Sequence, residues 1–190
     1  MSRNDSYYKQ YPDHETIHKL MEFNFETGKI TWKHRDESMF RAPQWAQAWN
    51  TRFACKPALN HITDEGYRNG SYLGRVLQSH IIIFIAYYGR TPTMILDHIN
   101  GIRDDNRIEN IREAGYFENT INRRNLNKNK NGYKGVFYFS CTNKYYARIR
   151  KNYKWIHLGT FNTPIEAGHA YNKAAVQLHG EFAILNPVGC

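Results

Sequence analysis

The last third of the chain alternates between two kinds of side chain and then changes to a helical spacing. The alternation over residues 133–161 predicts β-strands, with one face formed by Val136, Tyr138, Ala147, Ile149, Ile156 and Leu158. The opposite face would carry Phe137, Phe139, Arg148, Arg150, Trp155 and His157. The run Thr163-Pro164-Ile165-Glu166 then has the form of a capping box with proline at the first helical position. Small and apolar residues follow at helical spacing, so we expect a sheet packed on one helix.

The positive charge of the chain is concentrated in the same region. Residues 120–155 contain ten Lys and Arg side chains and no Asp or Glu, while the whole chain has a formal net charge of +9. Eight aromatic side chains lie in the same stretch. A charge run by itself is as often an ordinary solvated face as it is a binding surface. Basic residues mixed with aromatic ones favour a nucleic-acid-binding surface.

Several classes of protein are excluded by composition and length. The chain has 190 residues, which at roughly 150 residues per domain allows one or two domains. Its longest apolar run, residues 81–86, is far shorter than the ~20 residues that a membrane-spanning helix needs. The polar N-terminus and the scattered cysteines (Cys55, Cys141 and Cys190) argue against secretion, a disulfide framework and a cysteine zinc site. We therefore expect no membrane association and a cytoplasmic location.

A concentrated set of Asp, His and Asn residues lies between residues 95 and 125. Asp97 and His98 end a predicted strand and precede a turn. A histidine can activate water near neutral pH, and a carboxylate is a hard oxygen ligand suited to Mg²⁺ or Mn²⁺. The carboxamide of Asn119 would complete the protein part of such a site, because Mg²⁺ usually keeps several waters. Asn110 would hold the imidazole in the required tautomer. These are the components of phosphodiester hydrolysis.

Residues 97–101, 105–112 and 118–119 together resemble the HNH endonuclease family. They are most similar to its phage and intron homing-endonuclease branch, in which Asn replaces the last His. The resemblance covers residues 66–125 and implies a ββα-metal motif with His98 as the general base, Asp97 and Asn119 as metal ligands and Asn110 as the central Asn. The segment Ser79-His80-Ile81 is similar to a His-Arg segment that often precedes the motif, with Ile81 in place of the Arg. Ends carrying a 5′-phosphate and a 3′-hydroxyl and a phage-encoded enzyme in a bacterial cytoplasm are also implied.

Residues 133–186 resemble the Apetala-two/ethylene-response DNA-binding domain. The motifs that carry this are Tyr133-Lys134-Gly135-Val136, Tyr146-Ala147-Arg148-Ile149-Arg150, Leu158-Gly159-Thr160-Phe161, Ala170-Tyr171-Asn172-Lys173-Ala174-Ala175 and Leu178-His179-Gly180-Glu181. The resemblance implies a three-stranded antiparallel sheet that packs on one helix and enters the major groove. The implied contacts are Lys134, Phe137, Phe139, Arg148, Arg150, Trp155 and His157. Four of them depart from the plant members (Phe137 and Phe139 for Arg, Arg148 for Glu, His157 for Trp), so a docking mode is implied rather than a base preference.

The fold class expected from these patterns is α+β, with four regions. Residues 1–65 form a β-containing N-terminal region, in which residues 23–32 indicate a hairpin turning at Gly28. Residues 66–125 form the HNH module, residues 126–132 a basic linker and residues 133–186 the DNA-binding module. The apolar segment 81–88 fits a buried helix or a strand equally well.

The function predicted from the sequence is a metal-dependent endonuclease that hydrolyses double-stranded DNA. Duplex DNA is the expected partner, Mg²⁺ or Mn²⁺ the cofactor, with no small-molecule cofactor and a monomer favoured. Beside the sheet residues, Lys128 and Lys130 of the linker would hold phosphates. Two alternatives stay open: a non-catalytic DNA-binding regulator with a degenerate HNH module and, less well supported, an RNA-binding protein whose aromatic face stacks unpaired bases.

Overall fold

The computed structural model describes residues 7–115 and 131–189, and the chain divides into two compact units, Met1–Ala114 and Gly115–Cys190. Each unit combines small antiparallel sheets with helices, which confirms the expected α+β class. Within the described ranges no helix has the length and apolar character to cross a membrane. The finer boundaries between residues 65 and 66, 125 and 126, and 132 and 133 stay predictions.

The first unit contains three helices and seven strands in its described part. In chain order these are α1 (His14–Leu20), β1 (Met21–Asn24), β2 (Lys29–Trp32), α2 (Pro43–Phe53), β3 (His61–Ile62), β4 (Arg68–Tyr72), β5 (Arg75–Gln78), α3 (Ser79–Tyr88), β6 (Ile95–His98) and β7 (Ile111–Ala114). Short 3-10 turns lie at Glu37–Met39 and Ile108–Asn110. Strands β1 and β2 pair, β3, β4 and β5 form a sheet in that order, and β6 pairs with β7.

The ambiguous apolar segment is a buried helix, α3. Its residues from Ser79 to Ala86 are all buried, and it ends at Gly89, which adopts a left-handed conformation with φ +69°. A helix that is apolar all round must be enclosed on all sides. Here the surrounding apolar side chains come from α1, β1, β2, β5, β6 and β7. The central core of the unit therefore includes residues from the predicted N-terminal region and from the predicted HNH module.

The predicted hairpin at Gly28 is confirmed, and its turn packs against the loop that connects β6 to β7. Gly28 has φ +66°, and a Cβ atom there would lie 2.3 Å from the backbone carbonyl carbon of Asn106. Close by, the Ile108 N–H donates to the Phe25 carbonyl at 3.0 Å. Glycine is required at this position for its left-handed backbone and for the close approach. The N-terminal hairpin thus supports the loop from outside.

The second unit has the three-stranded sheet on one helix that the alternation predicts. The strands β8 (Val136–Phe139), β9 (Lys144–Lys151) and β10 (Lys154–Phe161) lie in the order β10-β9-β8 and pack on α4 (Pro164–His179). The Thr163 capping box is present: the Glu166 N–H donates to Thr163 Oγ1 and the Thr163 N–H to Glu166 Oε2, each at 3.2 Å. Buried small and apolar side chains join sheet and helix: Val136, Ala147, Ile149, Ala167, Tyr171 and Ala175.

Gly135 makes the closest approach between the entry to β8 and the helix. It has φ +73°, and a Cβ atom there would lie 2.2 Å from Cδ2 of Tyr171. The chain end is fixed nearby, because the Lys134 N–H donates to Asn186 Oδ1 at 2.5 Å and Asn186 Nδ2 donates back to the Lys134 carbonyl at 3.0 Å. The helix therefore covers one face of the sheet at close range and leaves the other face to solvent.

Candidate active site and nucleic-acid interface

Strand β6 ends at the two residues expected to carry the chemistry. Asp97 pairs with Arg112 of β7 and His98 pairs with Ile111, which confirms the strand that delivers both residues to a turn. Asp97 is 9% exposed and His98 5% exposed. The turn begins directly afterwards, where the Gly101 N–H donates to the His98 carbonyl at 2.9 Å. A carboxylate and an imidazole therefore lie adjacent in the chain and are held almost out of bulk water.

The imidazole of His98 is fixed by a buried carboxamide and by two aromatic rings. Its Nε2 lies 3.0 Å from Oδ1 of Asn106, which is 1% exposed. The His80 ring meets the His98 ring edge-on at a centroid separation of 5.2 Å. The Tyr67 ring centroid lies 6.0 Å from that of His98. Because a carbonyl oxygen only accepts, Nε2 carries the proton in this arrangement and the lone pair is on Nδ1. That is the tautomer in which Nδ1 can accept a proton.

Burial keeps both histidines neutral. It lowers the pKa of His98, against the opposing effects of the Asn106 hydrogen bond and of the negative charges of Asp97 and Asp105. Burial together with the neighbouring His98 lowers the pKa of His80 to about 3. Within the described residues, His80 Nδ1 and Asn106 Nδ2 are buried and have no hydrogen-bond partner. Such atoms are uncommon in folded proteins, and each calls for an explanation such as a catalytic role or a bound water or ion.

The loop between β6 and β7 is a polar network organised by Asn110. Its Oδ1 accepts from the Asn100 N–H at 3.0 Å, and its Nδ2 donates to Asn100 Oδ1 at 3.1 Å and to the Asp105 carbonyl at 2.7 Å. Arg107 forms an ion pair with Asp105 at 2.8 Å and thereby lowers the pKa of that carboxyl to about 2. Asn110 therefore lies in the loop framework, while Asn106, which the sequence pattern leaves without an assigned role, contacts the imidazole.

Asp97 takes part in a buried ion pair. Arg112 donates to its Oδ2 from Nη2 at 3.1 Å and from Nε at 3.3 Å, with the two side chains only 13% and 10% exposed. No cluster of three or more His, Cys, Asp or Glu side chains suited to a metal ion occurs among residues 7–115 and 131–189. Asn119, the second expected ligand, lies outside those residues. The described part of the site offers one hard oxygen ligand, which fits a divalent cation that keeps most of its waters.

The outward face of the second unit carries the sheet residues expected from alternation. Cross-strand pairing places Phe137 beside Tyr146, His157 beside Arg148 and Trp155 beside Arg150. Directly paired residues of an antiparallel sheet share a face, so the predicted common face is confirmed. Phe139 ends β8 on the same face, and Lys134 lies just before that strand. Lys128 and Lys130 lie outside the described residues.

The two arginines of this face lie on aromatic rings. The Arg148 guanidinium carbon is 4.4 Å from the Phe137 ring centroid and 4.3 Å from that of Trp155, and Arg150 lies 5.8 Å from Trp155. Within the described residues, Arg148 Nε is buried without a hydrogen-bond partner. Trp155 is 55% exposed and Phe139 50% exposed. Exposed cations ordered by aromatic rings, with no carboxylate on their strands, form a surface complementary to a polyanion.

Comparison with known proteins identifies similarity in the region of the first site. Residues 78–119 match the HNH endonuclease family. An uncharacterised HNH endonuclease of Acanthamoeba polyphaga mimivirus is 28% identical over 129 residues, and the match covers 67% of this chain and 66% of the relative, just under two thirds of its length. A solved structure on DNA binding and cleavage by the HNH homing endonuclease I-HmuI is 19% identical with a TM-score of 0.39, covering 59% of this chain and 56% of that one. The family match includes Asp97, His98, Asn106 and Asn110.

Proposed function

We propose that this chain is a metal-dependent endonuclease that hydrolyses phosphodiester bonds in double-stranded DNA. The observation that carries the proposal is the imidazole of His98, buried beside Asp97 and held by Asn106 in the tautomer that can accept a proton. The match of residues 78–119 to the HNH endonuclease family supports it.

In the proposed reaction, Nδ1 of His98 takes a proton from a water molecule that attacks the phosphorus atom. The oxygen of the water bonds to phosphorus and the bond to the 3′ oxygen breaks. The departing 3′ oxygen takes a proton from solvent water, so the products carry a 5′-phosphate and a 3′-hydroxyl. Asp97 and Asn119 would hold Mg²⁺ or Mn²⁺, which supplies stabilisation of the negative charge on the phosphate and the departing oxygen. Asn106 keeps the imidazole oriented, and Asn110 keeps the loop that carries Asn106 in place.

The second unit would bind the duplex. We propose that its outward face enters the major groove, as in the Apetala-two type of domain that it resembles, with Lys128, Lys130 and Lys134 on phosphates. Phe137, Phe139, Arg148, Arg150, Trp155 and His157 would form the contact face. The ring-ordered guanidinium groups of Arg148 and Arg150, beside the exposed Trp155, support a role of this face in contacting DNA. One catalytic site in a monomer would nick one strand. A phage-encoded homing enzyme is the biological setting that the resemblance favours.

A non-catalytic DNA-binding regulator is the second candidate, and one observation favours it. Asp97 is already neutralised by Arg112 in a buried ion pair, an arrangement that could be purely structural. The two candidates differ in whether DNA is cut. The regulator would bind duplex DNA through the sheet and leave its covalent structure unchanged.

The experiment that tests the proposed function is a plasmid-nicking assay with the whole chain. Supercoiled plasmid and phage DNA are incubated with protein and Mg²⁺ or Mn²⁺, and in parallel with a chelator. We expect relaxed plasmid with divalent cation and intact plasmid with chelator, and ends that a ligase accepts without further treatment because they carry a 5′-phosphate and a 3′-hydroxyl. Binding without cleavage of either DNA under any of these conditions would contradict the proposal and favour the regulator.

A further inference from the structure

We propose that Arg112 is the counter-ion that occupies Asp97 until a divalent cation and a DNA phosphate arrive together, so that the two bind cooperatively. This inference rests on the proposed function. Arg112 has no role in the sequence pattern or in the mechanism above. Its position is set by the register of β6 and β7, which places it directly opposite Asp97.

The ion pair is geometrically strong and shielded from water. Two N–H groups of Arg112, on Nη2 and Nε, converge on the same oxygen of Asp97, at 3.1 Å and 3.3 Å. The partners are 13% and 10% exposed, so solvent screens their attraction little. A buried carboxylate without a partner is strongly unfavourable unless another cation takes the place of the first. A divalent cation that took the place of Arg112 at Asp97 would keep that buried negative charge compensated.

A divalent cation and the guanidinium compete for Asp97. The oxygen that Arg112 occupies is one of only two on the carboxylate, and a metal ion bound to Asp97 would repel the guanidinium beside it. Mg²⁺ and Mn²⁺ also need a negatively charged ligand in this site, since an asparagine carboxamide contributes no charge. With Arg112 in place, the net charge of the pair is zero and the site attracts a cation only weakly.

A DNA phosphate would end the competition between Arg112 and the metal ion for Asp97, because it offers Arg112 another anionic partner. The neighbouring carboxylates are already engaged: Glu113 binds Arg90 at 2.5 Å and the Thr93 N–H at 2.6 Å, and Asp105 binds Arg107 at 2.8 Å. A phosphate matches the planar fork of arginine as well as a carboxylate does. The guanidinium can then turn to the phosphate while Asp97 turns to the metal ion. Charge is balanced at each step.

The consequence is reciprocal coupling between metal and DNA. If DNA strengthens metal binding by releasing Asp97, the metal must strengthen DNA binding by the same factor. For two ligands that share one charged pair, we expect a factor of about tenfold, within the ordinary range of such couplings. Removal of the Arg112 charge should give tight metal binding without DNA and should abolish most of the coupling.

The test measures Mn²⁺ affinity by the decrease in the electron-paramagnetic-resonance signal of free Mn²⁺. The protein is the full chain with His98→Ala, so that DNA is not consumed, with Arg112 intact or replaced in Arg112→Gln. Each is titrated alone and with sheared plasmid DNA, and Mn²⁺ bound by the DNA alone is subtracted. We expect DNA to tighten Mn²⁺ binding about tenfold when Arg112 is present, and Arg112→Gln to bind Mn²⁺ about tenfold more tightly without DNA.

The matched control is Arg90→Gln in the same background. Arg90 forms an ion pair with Glu113, one residue from Arg112, but contacts no proposed metal ligand, so its replacement should leave Mn²⁺ affinity unchanged. Arg112→Gln also removes the buried cation that faces Asp97 and should lower the stability of the folded chain. If that variant unfolds, Mn²⁺ should restore its circular dichroism and raise its melting temperature, because a ligand that binds only the folded state stabilises it.

The outcomes separate this inference from the proposed function. Equal Mn²⁺ affinity in the presence and absence of Arg112, or an unfolded Arg112→Gln that Mn²⁺ does not restore, would overturn the inference alone if the wild-type chain nicks plasmid with Mn²⁺. A wild-type chain that neither binds Mn²⁺ in the presence of DNA nor nicks plasmid would overturn both.

Discussion

The two charged regions of this chain differ in what holds their charges in place. Around β6 and β7 the charged and polar groups are buried, and they are fixed by one another: Arg112 holds Asp97 and Asn106 holds His98. On the outer face of the second unit Arg150 is exposed, and Arg148 lies partly buried between Phe137 and Trp155. In the first arrangement, hydrogen bonds fix the positions of the buried side chains. In the second, aromatic rings orient the guanidinium groups at the protein surface.

Under the proposed function, this difference would separate catalysis from DNA binding within one small chain. Buried polar groups are costly unless satisfied, so they impose one geometry, and geometry is what a reacting water requires. Exposed cations contribute mainly through attraction to phosphates, which depends on salt and tolerates small displacements. We therefore expect substitutions in the first unit to change the rate of cleavage and substitutions in the second to change affinity.

After His98→Ala, the largest expected effect on cleavage is that of Asn106→Ala. The variant removes the hydrogen bond that fixes the His98 tautomer and should lower the cleavage rate by about 10- to 100-fold, the range for groups that orient an active-site histidine. DNA affinity should be unchanged. Single-turnover rates on supercoiled plasmid, together with filter binding, measure the two quantities. Asn110→Ala is measured beside it as the paired variant. An unchanged cleavage rate in Asn106→Ala would remove the Asn106 carboxamide from the mechanism.

The double variant Arg148→Ala and Arg150→Ala should change the affinity for duplex DNA rather than the cleavage rate. Without these two cations duplex binding should weaken, and the slope of log affinity against log salt should become shallower by about 0.9 for each phosphate that is no longer neutralised, or nearly 2 in total. The cleavage rate at saturating protein should stay close to that of the wild type. Binding titrations at several salt concentrations provide the measurement. An unchanged slope would show that this face does not contact DNA.

A separate prediction concerns stability in acid rather than cleavage or DNA binding. In the unfolded chain His80 takes up a proton near pH 6.5, but in the folded chain burial and His98 lower its pKa to about 3. The unfolded state therefore binds more protons between these values, and the folded state loses stability as the pH falls from about 6.5 to 3. His80→Phe should reduce that loss. Urea unfolding followed by tryptophan fluorescence at neutral and acidic pH tests this, and identical pH dependence in the two chains would contradict it.

Local patterns in the sequence predict local structure in this chain. The period-two alternation predicts the exposed face of the second unit, the capping box predicts the start of α4, and Gly28 predicts the first hairpin. Each signal is carried by residues a few positions apart, whose relationship is set by strand or helix geometry. The strand that ends at Asp97 and His98 is predicted for the same reason.

The interactions that complete the candidate site are not local, and the sequence does not predict them. Arg112 lies opposite Asp97 only because the connecting loop has the length and shape that set this register, and a shift of one residue would turn it to the other face. The loop geometry, supported by Gly28 from a distant hairpin, likewise decides that Asn106 rather than Asn110 contacts His98. The sequence pattern assigns this contact to Asn110, and the run of Asp and Asn residues alone does not point to Asn106.

The measurement that tests the central claim most directly is cleavage and binding by His98→Ala beside the wild type, on one plasmid with Mg²⁺. His98 is proposed to take the proton from the attacking water, a contribution of about 10²- to 10⁴-fold to the rate. We predict that the variant binds the plasmid as tightly as the wild type and that nicking falls by at least about 100-fold. Nicking by His98→Ala at the wild-type rate would contradict the account.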